Sequence, residues 1–177
     1  MKHLLAILAL SVPLAAHADF VGNPMVLDGD TMSFGEKKVD LFGVHAPTIT
    51  QTCGETGNVW SCGWEATLHL EELVNAGEVV CVEVADSGSS TPLARCTVDG
   101  VDLAGQMIDA GLAVRDETLG DDYAERELAA ATEERGMWAG PFIDPVQWAE
   151  RYGCACSARK KAIAETAALL KGEETAE

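Results

Sequence analysis

The sequence predicts a mainly β fold carrying α-helices: a small five-stranded β-barrel with about three helices. Two observations predict it. Short apolar or β-branched runs broken by turn residues fill 25–44, and two further strand patterns lie at 78–84 and 92–98. Helical periodicity or helix-ending signals fall at 63–75, 103–110 and 122–135. The resulting order, β-β-β-α-β-β-α-α, suits a small barrel with helices packed against it.

Residues 1–18, "MKHLLAILALSVPLAAHA", read as a secretory signal. A Lys and a His precede an apolar run that ends in the small-residue pattern Ala16-His17-Ala18, with cleavage expected after Ala18. The run is too short to span a bilayer core of about 30 Å, and no later segment is long and apolar enough, so no membrane span is expected. The protein is expected to be exported, periplasmic or secreted.

The three N-terminal strands come from "MVL", "TMSF" and "VDLFGV", joined at "DGD" and "GEKK". In the third, Val39 and Leu41 alternate with Asp40, which places Asp40 on the opposite face. The segment 45–62 holds Pro47, Gly54, Gly57 and two cysteines and reads as a loop. Ala66, Leu70, Leu73 and Val74 share one helical face, and Gly77 follows. "EVVCVEV" and "PLARCTV" are strands around the loop "DSGSST", and Gly111 stops a short helix over 103–110. Over 122–135, Asp121 or Asp122 is the expected cap and Gly136 the left-handed terminator. "GPFIDPVQW" is expected to be irregular because of its two prolines. Residues 19–153 thus form one domain, followed at 154–177 by a Cys-x-Cys segment and a charged, Ala-rich tail, helical or disordered.

With 12 basic and 29 acidic residues the formal charge is −17. Affinity for nucleic acid comes largely from Lys and Arg neutralising phosphates, so this balance disfavours DNA or RNA as partner. The six cysteines of an exported chain point to disulfides. Sequence proximity pairs Cys53 with Cys62, and the two successive strands pair Cys81 with Cys96. Cys154 and Cys156 leave four readings open: a local Cys-x-Cys disulfide, a bridge between chains, a redox dithiol, or metal ligands. Trp60 and Trp64 flank Cys62 and are expected to cover its disulfide, while Trp138 and Trp148 are read as packing.

Taken together, "VLDGDTM", "VDLFGVHAPT", "SCGWEATLHLEELV", "ARCTVDGVDLAGQMIDAGLAV", the helix with Tyr123 and Glu127, and "GMWAGPFIDPVQW" resemble the staphylococcal nuclease-like (thermonuclease) domain over about residues 24–150. The resemblance implies an OB-type barrel. In active members it also implies a metal-dependent phosphodiesterase, with Ca²⁺-binding carboxylates, two arginines that hold phosphate and a Glu that activates water. Such chemistry needs a base and stabilisation of the developing anion.

Carried over residue by residue, Asp30 stands at a metal position, with Asp28 and Thr31 beside it. Asp40 occupies the first arginine position, His45 the second metal Asp, Ala46 the adjacent Thr and Thr48 the Glu. The second arginine falls at Thr91, after Ser90; Arg95 is nearby but reads as a surface or structural residue on its strand. Loss of one oxyanion-type donor costs about 10²–10³ in rate. These departures therefore predict a domain without nuclease chemistry, acting as a binding or structural module, its barrel groove open to a peptide or saccharide.

The alternative is a divalent-metal-dependent nuclease with a rearranged site. Asp28, Asp30, Asp40 and His45 would then hold Mn²⁺ or Zn²⁺, or Ca²⁺ would remain at Asp30. Against it, Asp28 in an Asp-Gly-Asp-Thr turn more often bonds backbone amides.

Overall fold

A computed structural model describes residues 18–84 and 91–152. Residues 1–17 of the expected signal, Ser90 and the tail with Cys154 and Cys156 lie outside the described residues.

Strands β1 (Phe20–Gly22), β2 (Met25–Val26), β3 (Thr31–Phe34), β4 (Lys37–Leu41), β6 (Val79–Glu83), β7 (Leu93–Val98) and β8 (Val101–Asp102) form one seven-stranded mixed sheet. Its order is β1-β6-β7-β4-β3-β2, with β8 also pairing β7. All pairs are antiparallel except β4–β7, where Asp40 lies opposite Leu93 and Leu41 opposite Ala94. β5 (Val44–His45) and β9 (Val114–Arg115) make a separate antiparallel pair. Among the described residues there are thus nine strands rather than five. The path of the larger sheet ends at β1 and β2, and no closed barrel is found among the described residues.

The first meander follows the predicted turns. The third strand is interrupted, however, because Gly43 takes φ +80 and turns the chain out of β4 into β5. A Cβ at Gly43 would come within 3.0 Å of the Tyr123 ring. β1, which the sequence reading missed, adds onto β6 with Phe20 opposite Cys81.

Helix α1 (Cys62–Asn75) packs Ala66, Leu70 and Val74 inward, the face its periodicity predicts. Helix α2 (Leu103–Asp109) is capped by Asp102, whose carboxylate accepts from the Gly105 amide. Their side chains, Leu103, Met107 and Ile108 of α2 among them, meet Met32, Val39, Leu41, Val79 and Val98 in the main core. Burial of each large apolar side chain contributes roughly 1.5–3 kcal/mol. A second cluster gathers Cys53, Cys62, Val114 and Met137, with Trp60, Trp138 and Phe142 against it. Trp60 therefore covers the Cys53–Cys62 bridge as expected. Trp64 does not, its side of α1 facing solvent at 49% exposure. The second bridge, Cys81–Cys96, joins residues directly opposite each other on β6 and β7.

Helix α3 (Ala124–Thr132) is shorter than 122–135. Tyr123 is its N-cap and makes no side-chain cap bond; Asp121 supplies only a carbonyl to Ala124, and Asp122 turns instead to Arg95. Glu134, at φ +53, enters the left-handed region before Gly136 does. A 3₁₀ turn (Gly136–Ala139) follows. The expected irregular stretch then becomes helix α4 (Pro145–Tyr152). Proline at a first helical position lacks only an N–H that would be unpaired there. The Asp144 carboxylate takes up the Val146 and Gln147 amides, the bond that starts this helix. Among the described residues no helix is long and apolar enough to cross a membrane.

Candidate functional site

The Asp28-Gly29-Asp30 turn between β2 and β3 is held from within. Asp28 Oδ1 accepts from the amides of Thr31 at 2.9 Å and Asp30 at 3.3 Å. Gly29 is required because a Cβ there would lie 2.7 Å from the Cβ atoms of both Ala46 and Ala66. This close approach brings Asp30 against β5, where its Oδ2 accepts from the Ala46 amide at 2.7 Å. Asp40 sits opposite Thr31 in the β3–β4 register, and the Thr31 hydroxyl donates to Asp40 Oδ1 at 2.9 Å.

Burial, then the neighbouring charge of Asp28, pushes the Asp30 carboxyl well above the ordinary carboxylate range. Burial also raises Asp40, and the Thr31 hydrogen bond only partly offsets it. Asp30 therefore keeps its proton to a higher pH than an ordinary carboxyl does.

Asp28, Asp30, His45, Ala46 and Thr48 line a cleft of about 290 Å³, closed on the far side by Pro145, Val146 and Ala149 of α4. Asp28, Asp30, His45 and Thr48 are thus brought together. Thr91 is not with them, lining a different depression beside Phe20, Lys37 and Lys38.

His45 Nε2 lies 3.1 Å from Asp116 Oδ2. Asp116 follows β9, so the pairing of β5 with β9 produces this contact. Burial pushes the Asp116 carboxyl up, but donation from the Thr118 hydroxyl and amide, with His45 beside it, holds it below the ordinary range.

One oxygen of each carboxylate is taken up within the fold: Asp28 Oδ1 by backbone amides, Asp40 Oδ1 by the Thr31 hydroxyl and Asp30 Oδ2 by the Ala46 amide. No group of three or more His, Cys, Asp or Glu side chains among the described residues is arranged to hold a metal ion.

Sequence reasoning missed the residues that follow along β9 and α4. Arg115 donates from its amide to Glu127 at 2.9 Å and from Nε to the same carboxylate at 3.0 Å. It also reaches Asp121 and Glu117. A cleft of about 420 Å³ runs from His45 past Arg115 and Asp116 to Asp144 and Gln147. A further one of about 490 Å³ continues to Trp138, Phe142 and Arg151. The Asp144-Pro145 step was the available signal for α4; nothing local signals the Arg115–Glu127 pairing. Arg95, as expected, is structural: its guanidinium lies 4.3 Å over the Phe42 ring and pairs with Asp122.

No family model matches the chain. Among curated proteins it is similar to the succinoglycan biosynthesis protein ExoI of Rhizobium meliloti (strain 1021). The two are 30% identical over 138 residues, covering 76% of this chain and 72% of that protein.

Proposed function

The chain belongs to the family of the succinoglycan biosynthesis protein ExoI, and from that premise we propose that it is an exported, non-catalytic binding module serving the assembly of an extracellular polysaccharide. Its architecture, on this reading, is a staphylococcal nuclease-like, OB-type barrel whose nuclease chemistry has been lost. The β2–β3–β4 meander, the parallel β4–β7 seam and the helix between them support the barrel reading. The signal at 1–18 and the two disulfides support export.

One observation carries the loss of chemistry. At the position where the resemblance puts a phosphate-gripping arginine, Asp40 is hydrogen-bonded to Thr31, beside a half-buried Asp30 whose proton affinity is raised. A phosphodiester approaching this cleft meets acid without a paired Lys or Arg among the described residues. The positions of the water-activating Glu and the second arginine carry Thr48 and Thr91.

The test is cleavage of single- and double-stranded DNA and of RNA by the purified protein with Ca²⁺, Mg²⁺ or Mn²⁺, beside an Asp30→Ala control. Expected is no turnover above the control. A second arm combines Asp40→Arg, His45→Asp, Thr48→Glu and Thr91→Arg, and measurable turnover is expected only there. Chelator-sensitive cleavage by the unaltered protein that vanishes in Asp30→Ala overturns the reading.

A further inference from the structure

We propose that the groove beneath α4, from His45 to Trp138, is a binding cleft for a neutral oligosaccharide. This inference rests on the reading above and names the ligand class of the module.

The three clefts along α4 are neighbours that share walls. The one beside Asp30 has His45 and Val146 in common with the middle one. The middle one shares Arg115, Asp144 and Gln147 with the one at the aromatic end. The α4 residues they use, Pro145 and Ala149, Gln147 and Glu150, and Gln147 and Arg151, stand three or four apart, so the clefts lie side by side around the flank of the helix. Adjoining clefts of this kind suit a chain of several units rather than one compact small molecule.

Its chemistry alternates in the way a sugar ring does, with apolar C–H faces and a rim of hydroxyls that both donate and accept. Trp138 and Phe142, edge to face at 5.1 Å, provide an apolar end. Next to them stand the Gln147 amide, which donates and accepts, the Arg151 guanidinium, and the Asp144 carboxylate. Ligand sites characteristically combine an apolar lining with a few placed polar groups.

Charge selects against a polyanion. Arg115 already serves Glu117, Asp121 and Glu127, while Asp116, Asp144 and Glu150 line the middle of the groove. A phosphate or uronate chain would gain little there and meet repulsion. A neutral saccharide meets neither penalty.

The experiment titrates the protein with neutral β-linked gluco-oligosaccharides of increasing length. It follows tryptophan fluorescence and, by NMR, the backbone amides of α4 and β9. A single-stranded oligonucleotide and an uncharged peptide of comparable length are the competing probes. Saturable binding that tightens with saccharide length, with shifts at Arg115 and Gln147, is expected. Gln147→Ala and Arg151→Ala together, both on the exposed side of α4, should weaken it roughly three- to tenfold, as loss of a hydrogen bond or two predicts.

No saturable binding by any of these saccharides overturns the inference. So does tighter binding of the oligonucleotide or peptide, or indifference to the double variant. Each of those results leaves the non-catalytic reading standing, which falls only to Asp30-dependent cleavage.

Discussion

Two crowded acidic regions lie beside different faces of α4, and they handle charge differently. Around Arg115, one guanidinium serves Glu127, Asp121 and Glu117 and is itself 20% exposed. Around Asp30, three aspartates meet without a paired lysine or arginine among the described residues, and hydrogen bonds from Thr31 and backbone amides take the place of a cation. In the second, burial raises the proton affinity of Asp30 and Asp40. A surface rich in acid thus carries two distinct electrostatic designs, one balanced by a guanidinium and one by neutral hydrogen-bond donors.

The largest expected effect comes from breaking the balanced end. Arg115→Met leaves Glu127, only 18% exposed, without its cation and without the Nε hydrogen bond. Removing one partner of such a pair costs about 3 kcal/mol, the low end for buried pairs because some solvent reaches this one. Urea unfolding at pH 7 should show it as a lower midpoint with unchanged slope. A shift below about 0.5 kcal/mol would mean that the guanidinium merely decorates the surface.

A smaller and opposite effect is expected at the unbalanced end. Folding raises the Asp30 proton affinity above that of an ordinary carboxyl at 3.8. Between that value and the raised one, the folded chain binds more protons than the unfolded chain, so stability declines as pH climbs through the window. Asp40 adds a slope of the same sign; Asp116, held low, adds one of opposite sign that is lost as pH falls through its own value. Asp30→Asn keeps an acceptor for the Ala46 amide and abolishes the ionisation. Its melting temperature at neutral pH should exceed the parent's by a few degrees, and its pH dependence should flatten above pH 4. Parallel melting curves for parent and variant across that range would refute the raised proton affinity of Asp30.

The smallest effect is expected at the exposed pair of Arg95 and Asp122, whose side chains are 47% and 57% accessible. Asp122→Ala should cost about 0.2–1 kcal/mol, falling further with added salt, because Arg95 keeps its seat over Phe42. Thermal melts at low and high salt would measure it.

How far the sequence foretold this molecule depends on the range of the interactions. Local periodicity located α1 almost to the residue, since Ala66, Leu70 and Val74 repeat on one face. Strand order and proximity sufficed for Cys81–Cys96 and Cys53–Cys62. Asp28 bonding its own turn was legible too, because an Asx turn needs only neighbours. What escaped was made by distant register. The His45–Asp116 contact requires β5 beside β9, and the Arg115–Glu127 pair requires α3 to lie along that strand. Helix α4 escaped for another reason: two prolines suggested irregular chain, although the second stands where a helix accepts one.

At the end of α2, Gly111 and Gly136 meet with bare backbones. The Met137 amide donates to the Gly111 carbonyl, and a Cβ on Gly111 would fall 2.1 Å from the Arg135 carbonyl oxygen, one on Gly136 2.4 Å from that of Gly111. Trp138 is therefore aimed by two residues that have no side chains to vary. The joint and the α4 lining of the groove use different residues, so substitutions on α4 can change what it presents without disturbing the joint that positions the aromatic end. Such a joint lets one scaffold be re-purposed from one chemistry to another by changes confined to its lining.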